Sequence, residues 1–271
     1  MTTQLFEGKE HASLYQKYRL PPPDEVQKLI LSYLEAKKQR PFSLAVDVGC
    51  GTGQSTRALA PHFEKMVGTD ISKAQIEEAK QSSSASNISY CVSPAEELPF
   101  EDSSVDLVTA AAAAHWFNIE KFLKEVDRIL KPSGCMALYC YQACMEVHYK
   151  DCASKLTAIF TECYNSLAIY TSKNTEIVYS EYEAIFNAIP YTDKKRITQM
   201  VHKFQMPVAD LIGLVKSFSM FQTFLQIDPE AAKKLLQKTE QRFLEVMGVT
   251  SNETIVEIWA KHFCVLACKP L

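Results

Sequence analysis

No block of basic residues runs through this chain, and its charges nearly balance: 29 Lys and Arg against 32 Asp and Glu give a formal net charge of −3. That excludes a protein held to nucleic acid by a concentrated cationic surface. No apolar run approaches the ~20 residues of a membrane-spanning helix, and the polar, charged start carries no secretory signal. Cysteine is plentiful, 9 residues, yet no C-x-x-C occurs, and the 6 histidines form neither H-x-x-x-H nor a zinc spacing with cysteine. The expectation is free thiols in a reducing cytoplasm, with no metal, no membrane and no nucleic-acid partner. Internal repeats and disordered linkers are also missing. The 271 residues, 47% hydrophobic, suffice for one large domain with a real core.

What is present is one stretch, Leu44-Ala45-Val46-Asp47-Val48-Gly49-Cys50-Gly51-Thr52-Gly53-Gln54. It reads as a short apolar strand with an acid near its end, then glycines at alternate positions, then a helix from Gln54. Glycines so spaced let the backbone turn sharply and approach a ligand. The helix beyond presents free N–H groups and a partial positive charge. A nucleotide-like ligand over the turn is the natural reading.

The kind of nucleotide decides function. A dinucleotide fingerprint, G-x-G-x-x-G, would need glycine at position 54, where Gln54 stands, and a P-loop would need a lysine that is absent. The segment from Val46 through Gly53 instead resembles motif I of the class I S-adenosylmethionine-dependent methyltransferases. That resemblance implies S-adenosylmethionine as cofactor, with Asp47, Gly49, Cys50, Gly51 and Gly53 at its site. It also implies a Rossmann-like α/β fold: a doubly wound, mostly parallel seven-stranded sheet with a helical lid.

The chain in order agrees with alternating strands and helices. Residues 1–43 form an N-terminal helical arm, with a helix or ordered arm over 6–18, stopped by Pro21-Pro22-Pro23, and a second helix that Asp24 caps. Residues 44–141 form the cofactor-binding core. Its strands are expected at 44–48, 66–70, 87–93, 105–110 and 135–141, with Ser72 and Gln75 as a capping box and Asn118 capping a helix that Lys131-Pro132-Ser133-Gly134 ends. Residues 142–254 carry lid helices at 148–169, 180–189, 208–226 and 228–246, and the penultimate strand at 196–205. Residues 255–271 hold the final strand, its partner in the antiparallel hairpin that closes the sheet in the resembling family. Ligands in such sheets bind beyond the strands' carboxyl ends, where strand order switches.

Downstream residues fill in the site. Asp70 ends the second strand, about 20 residues past the glycines, where an acid accepts from ribose hydroxyls. By the resemblance, Ile71 packs on adenine. Ser93-Pro94-Ala95-Glu96-Glu97-Leu98-Pro99-Phe100 resembles the family's G-D-A-E-x-L-P-F, but Pro94 replaces its adenine-binding acid, so recognition falls to Ala95 and Glu96. The alanines around Ala111 leave room for the cofactor's methionine part. His115 is the candidate base, competing with a packed, positioning role, and Trp116 can wall a substrate pocket. This His-Trp pair resembles the small-molecule branch that includes trans-aconitate methyltransferase and the ubiquinone-biosynthesis-type enzymes. Tyr15, Tyr18 and Arg19, on an arm that can fold over the pocket, are the substrate candidates, Arg19 as a fork for a carboxylate.

The expected function is methyl transfer to a small acceptor, a carboxylate for choice, by a cytoplasmic monomer. An NAD(P)-dependent oxidoreductase and a cofactor-binding, non-catalytic interaction module are the alternatives.

Overall fold

The computed structural model describes residues 9–171, 174 and 176–271, with side chains from residue 13 onward inside the first helix. Helices α1 (Lys9–Tyr18) and α2 (Asp24–Glu35) precede the sheet. The core then runs β1 (Leu44–Val48), α3 (Gln54–Leu59), β2 (Lys65–Asp70), α4 (Lys73–Gln81), β3 (Ile88–Val92), β4 (Val105–Ala111), α5 (Ile119–Ile129) and β5 (Leu130–Tyr141). Next come β6 (Glu146–His148), α6 (Ala153–Leu167), α7 (Glu176–Tyr179), α8 (Glu183–Ala188) and β7 (Lys194–Pro207). The chain ends with α9 (Val208–Lys216), α10 (Ser219–Ile227), α11 (Pro229–Met247) and β8 (Ile255–Cys268). Residues 6–8 of the expected first helix lie outside the described residues.

The apolar β1 and β4 are buried on both faces, as a sheet covered by helices requires. Strands β3, β2, β1, β4 and β5 run parallel in that spatial order. β8 closes them antiparallel to β5, and β7 forms the outer strand against β8. The sheet has eight strands among the described residues, not seven. β8 reaches past the end of β5, and its free backbone groups there need partners. Residues 146–148, expected to lead into a helix, supply them by pairing with residues 257–259, and α6 starts only at Ala153.

Other local expectations are corrected by hydrogen bonding. The single helix expected over 208–226 is two, α9 and α10, bent by 73°. The Ser217 carbonyl leaves the helical ladder to accept from Arg19, and the Ser217 hydroxyl donates back to the Leu214 carbonyl. Asp24 does not cap α2; Pro23 holds that place, and Asp24 is the first helical residue, where a negative charge favours the helix dipole. The Ser72–Gln75 box is half made. The Ser72 hydroxyl accepts from the Gln75 N–H at 3.3 Å, but the Ser72 N–H goes to Asp70. Residues 131–134 belong to β5 rather than to a turn, with Ser133 at φ 59° taking up the irregularity. Asn118 does cap α5, accepting from Lys121 N–H, and Phe122, Val126 and Ile129 form its buried stripe. The lid has a core of its own, in which α6, α9, α10 and α11 pack on one face of the β8 extension through Phe160, Leu211, Phe243 and Ile258.

Candidate active site

Strand order reverses between β1 and β4, so the chain leaving these strands diverges and a crevice opens above their carboxyl ends. A cavity of about 770 Å³ occupies it, within the ~300–1,000 Å³ range of small-molecule sites. Its floor comes from strand ends: Gly49 and Gly51, Asp70 and Ile71, Ala95 and Glu96, and Ala111 to Ala113. Its roof comes from the arm and lid, through Tyr15, Arg19, Tyr164, Tyr179 and Phe218.

The glycines do different work. Gly51 has φ 53°, and a Cβ built on it would point into the cavity, meeting only Gln75 Oε1 at 3.7 Å and the Tyr15 ring at 3.9 Å. It is a backbone cradle kept clear for a ligand. Gly53 has φ 78°, and its Cβ would lie 2.4 Å from the Tyr90 hydroxyl. It serves close packing beneath the loop and does not line the cavity. Cys50 likewise turns down, into a small cluster with Ile76, Ala79 and Tyr90. Asp47 is fully buried below the loop, accepting from Thr56 at 2.7 Å and Thr109 at 2.9 Å, so it ties β1 to α3 and β4. Burial pushes its pKa up to about 6 against those two hydrogen bonds. Three of the expected cofactor residues, Asp47, Cys50 and Gly53, therefore support the loop from beneath.

Asp70 stands on the cavity wall. One carboxylate oxygen accepts from the Gly51 N–H at 2.9 Å and the other from the Ser72 N–H at 2.8 Å. Burial raises its pKa while these two donors oppose the rise. Ile71 is 62% exposed at the rim. Ala95 and Glu96 line the cavity, but Glu96 Oε1 accepts from the Asn118 N–H at 2.7 Å, committing one oxygen to the start of α5.

Of the arm residues, Tyr15 and Arg19 line the cavity; Tyr18 does not. Its ring lies against Gly213, where a Cβ would approach within 2.4 Å, so Tyr18 docks α1 on α9. Arg19 donates to the Tyr141 hydroxyl at 2.9 Å and the Ser217 carbonyl at 3.1 Å, sandwiched between the Tyr15 and Phe218 rings. Its Nε has no partner among the described residues, and neither has Gln75 Oε1. Both side chains line the cavity. Buried polar atoms are normally satisfied, so these two mark where a polar ligand completes the site.

His115 is 8% exposed and lines the cavity beside Trp116. Its Nδ1 lies 2.8 Å from the Tyr182 hydroxyl. Burial, reinforced by the Arg19 charge, lowers its pKa to about 3, so the ring is neutral at physiological pH and a weak base. Sequence reasoning missed Tyr141, Tyr164, Tyr179 and Tyr182 and took Gln75 for a capping residue only, whereas Ser217-Phe218-Ser219 resembles a lid motif of the family. Tyr141 could have been found, since it ends β5 as Asp70 ends β2. Tyr164, Tyr179 and Tyr182 carry no local signal, because tertiary packing alone brings them in.

An unpartnered amide oxygen, a wall carboxylate, a side-chain-free cradle and a guanidinium group suit a nucleoside bearing a charged amino-acid tail, which is the chemistry of S-adenosylmethionine. Residues 46–138 match the family model described as a methyltransferase domain. A chain from Dictyostelium discoideum named as a methyltransferase is 28% identical over 94% of this chain and 92% of its own length. A Saccharomyces cerevisiae protein named as an S-adenosylmethionine-dependent methyltransferase is 35% identical over 35% of each chain. A methyltransferase structure from Anaeromyxobacter dehalogenans superimposes with a TM-score of 0.74 and 22% identity, over 94% of this chain and 100% of that one. The fold and the cofactor motif on β1 agree in kind with these relatives, and together they support a class I S-adenosylmethionine-dependent methyltransferase.

Proposed function

We propose that this enzyme methylates a small-molecule carboxylate, forming a methyl ester. The observation that carries the reading is Arg19. It is the one Arg or Lys among the described residues that line the cavity, and its Nε is buried without a hydrogen-bond partner among them. Two acids share the lining, and both are engaged with backbone N–H groups, Asp70 by Gly51 and Ser72 and Glu96 by Asn118. An anionic acceptor is thus favoured at Arg19 and disfavoured elsewhere.

S-adenosylmethionine, when bound, supplies a methyl group on a sulfonium centre and departs as a neutral thioether. Gly51, Asp70 and Gln75 are the residues that would hold it. What the protein must add is alignment and exclusion of water, which account for much of the rate in such displacements. Tyr15, Trp116, Tyr164 and Phe218 wall the cavity with aromatic rings. The Tyr164 and Tyr179 hydroxyls, 2.5 Å apart, join α6 to α7 across its mouth. An ionised carboxylate is already nucleophilic, so the low basicity of His115 is no obstacle.

A second reading assigns Arg19 to the amino-acid carboxylate of the cofactor, because the Arg19 guanidinium lies 4.8 Å over the Tyr15 ring, which itself borders the Gly51 cradle. Calorimetry of Arg19→Ala with S-adenosylhomocysteine, beside its KM for carboxylic acids, separates them. Unchanged cofactor affinity with KM raised at least about tenfold, the loss of one charge-assisted hydrogen bond, is the expected result. Lost cofactor affinity with an unchanged acceptor KM assigns Arg19 to the cofactor. Turnover of amines or phenols alone refutes the carboxylate.

A further inference from the structure

The sequence offers His115 as a candidate base, but its surroundings give it a different job. Its Nδ1 faces the Tyr182 hydroxyl at 2.8 Å. Tyr182 is fully buried, and its oxygen also faces the backbone N–H of His115 and the thiol of Cys140. The backbone N–H can only donate. The Cys140 thiol points to the Tyr141 carbonyl at 3.5 Å. The hydroxyl proton of Tyr182 has one strong acceptor left, the imidazole nitrogen. A hydroxyl that donates to Nδ1 leaves the ring's own proton on Nε2, since a neutral imidazole carries one. Nε2 has no partner among the described residues, and the ring lines the cavity.

The placement of Tyr182 is costly. Glu181 and Tyr182 both adopt left-handed backbone conformations, φ 52° and 58°, which strain non-glycine residues. The strained pair is held from several sides. Glu181 accepts from Gln142 at 2.9 Å, Arg196 on β7 donates to the Ser180 carbonyl at 3.3 Å, and the Tyr182 ring packs edge-on against Phe263 at 4.9 Å. Strain over-determined in this way beside a cavity marks a functional constraint.

We propose that Tyr182 is a positioning residue that locks His115 in the neutral, Nε2-protonated form, so that His115 binds the acceptor oxygen as a hydrogen-bond donor and takes no proton from it. This rests on the carboxylate reading above. His115 and Arg19 then grip one anionic group, and an acceptor that must lose a proton finds no base here. The charged and titratable groups that face the ring or its partner Tyr182, Arg19 just after α1, Cys140 on β5 and Tyr182 before α8, stay in one protonation state through neutral pH. Burial holds the Cys140 thiol up at about 11 and the Tyr182 phenol well above its ordinary value.

The test is first spectroscopic and needs no acceptor. In the full chain labelled with 15N-histidine and saturated with S-adenosylhomocysteine, long-range correlation spectra should show His115 protonated at Nε2 and bare at Nδ1, unchanged between about pH 6 and 9. Tyr182→Phe, which keeps the buried ring and removes the proton donor, should bring in the other tautomer. A proton on Nδ1 in the wild type, or an imidazole that titrates in this range, overturns the proposal whatever the acceptor proves to be. Kinetics then test the donor. His115→Gln retains an N–H near the Nε2 position and should keep turnover of a carboxylic acid within about tenfold, while His115→Phe should lose about 100-fold, as expected for a lost hydrogen bond to a charged group. Equal losses in the two variants overturn the donor role.

Discussion

A single methyl group added at two neighbouring positions of the glycine turn should break two different properties. Gly51→Ala forces a left-handed residue at φ 53°, where an L side chain costs ~1–2 kcal/mol. The added Cβ meets no protein atom closer than 3.7 Å, so overpacking adds nothing. Part of the strain is offset by the lower entropy of the unfolded chain, leaving about 1 kcal/mol and a melting shift of about 2–4 °C for a domain of this size. The methyl group nevertheless stands in the cradle, and S-adenosylhomocysteine affinity should fall about 100-fold, ~2–3 kcal/mol of crowding. Gly53→Ala carries similar strain at φ 78° and in addition drives a Cβ to 2.4 Å from the Tyr90 hydroxyl. Tyr90 has little room to retreat: it is 8% exposed, and its ring is also packed against Gly68, where a Cβ would lie at 2.6 Å. Overpacking of ~1–3 kcal/mol brings the total to about 2–4 kcal/mol, a melting shift of roughly 5–15 °C. Calorimetric melting of both proteins, with titration of S-adenosylhomocysteine at 15–20 degrees below each midpoint (a range of about that size keeps the native state dominant), separates stability from binding. A Gly51→Ala protein that binds like wild type would refute the cradle, and a Gly53→Ala protein as stable as Gly51→Ala would refute the packing role.

Further outcomes follow from the same contacts. Asp70→Asn cannot accept from both the Gly51 and Ser72 N–H groups, so S-adenosylhomocysteine affinity should drop about 10- to 100-fold, ~1.5–3 kcal/mol, with isothermal titration as the readout; an unchanged Kd would place the ribose elsewhere. Asp106 at the opposite end of β4 is buried with Lys38 and Lys131 and accepts from Ser43, which together outweigh burial and hold its pKa down at about 2, from 3.8. A carboxylate depressed in the folded state stabilises above its unfolded pKa, so about 2 kcal/mol is present above pH ~4 and lost as pH falls toward 2. Thermal melts of wild type and Asp106→Ala should therefore converge in acid, and a constant gap from pH ~5 to ~2.5 would contradict the ion-pair assignment.

The motif on β1 and the apolar stripes of the helices were legible because their signals are local. Val46 and Val48 declare a buried strand, alternate glycines declare a turn, and Asn118 three residues before Lys121 declares a cap. Strand ends are legible too, which is why Gly51, Asp70, Ala95 and Ala111 fall on the cavity as a reading by position expects. The same local logic cannot tell up from down within the turn. Cys50 and Gly53 share the motif with Gly51, yet the local twist of φ turns the Cys50 side chain beneath the loop and sets Gly53 against Tyr90 from β3.

Sequence alone determined the alternation of strands and helices, the cofactor turn and the acid at the end of β2, since each depends on residues within a few positions of one another. Tertiary structure alone decided the roof of the cavity and the setting of His115. Arg19 meets Tyr141 and Ser217 across 122 and 198 residues of chain, and Tyr182 meets His115 across 67. No periodicity records such pairs. The lid helices bury their own core against β8 and so bring Ser217 to Arg19, while the core that Tyr182 shares with Ile185 and Phe263, not any propensity in residues 176–182, carries a strained tyrosine to the one imidazole among the described residues that line the cavity.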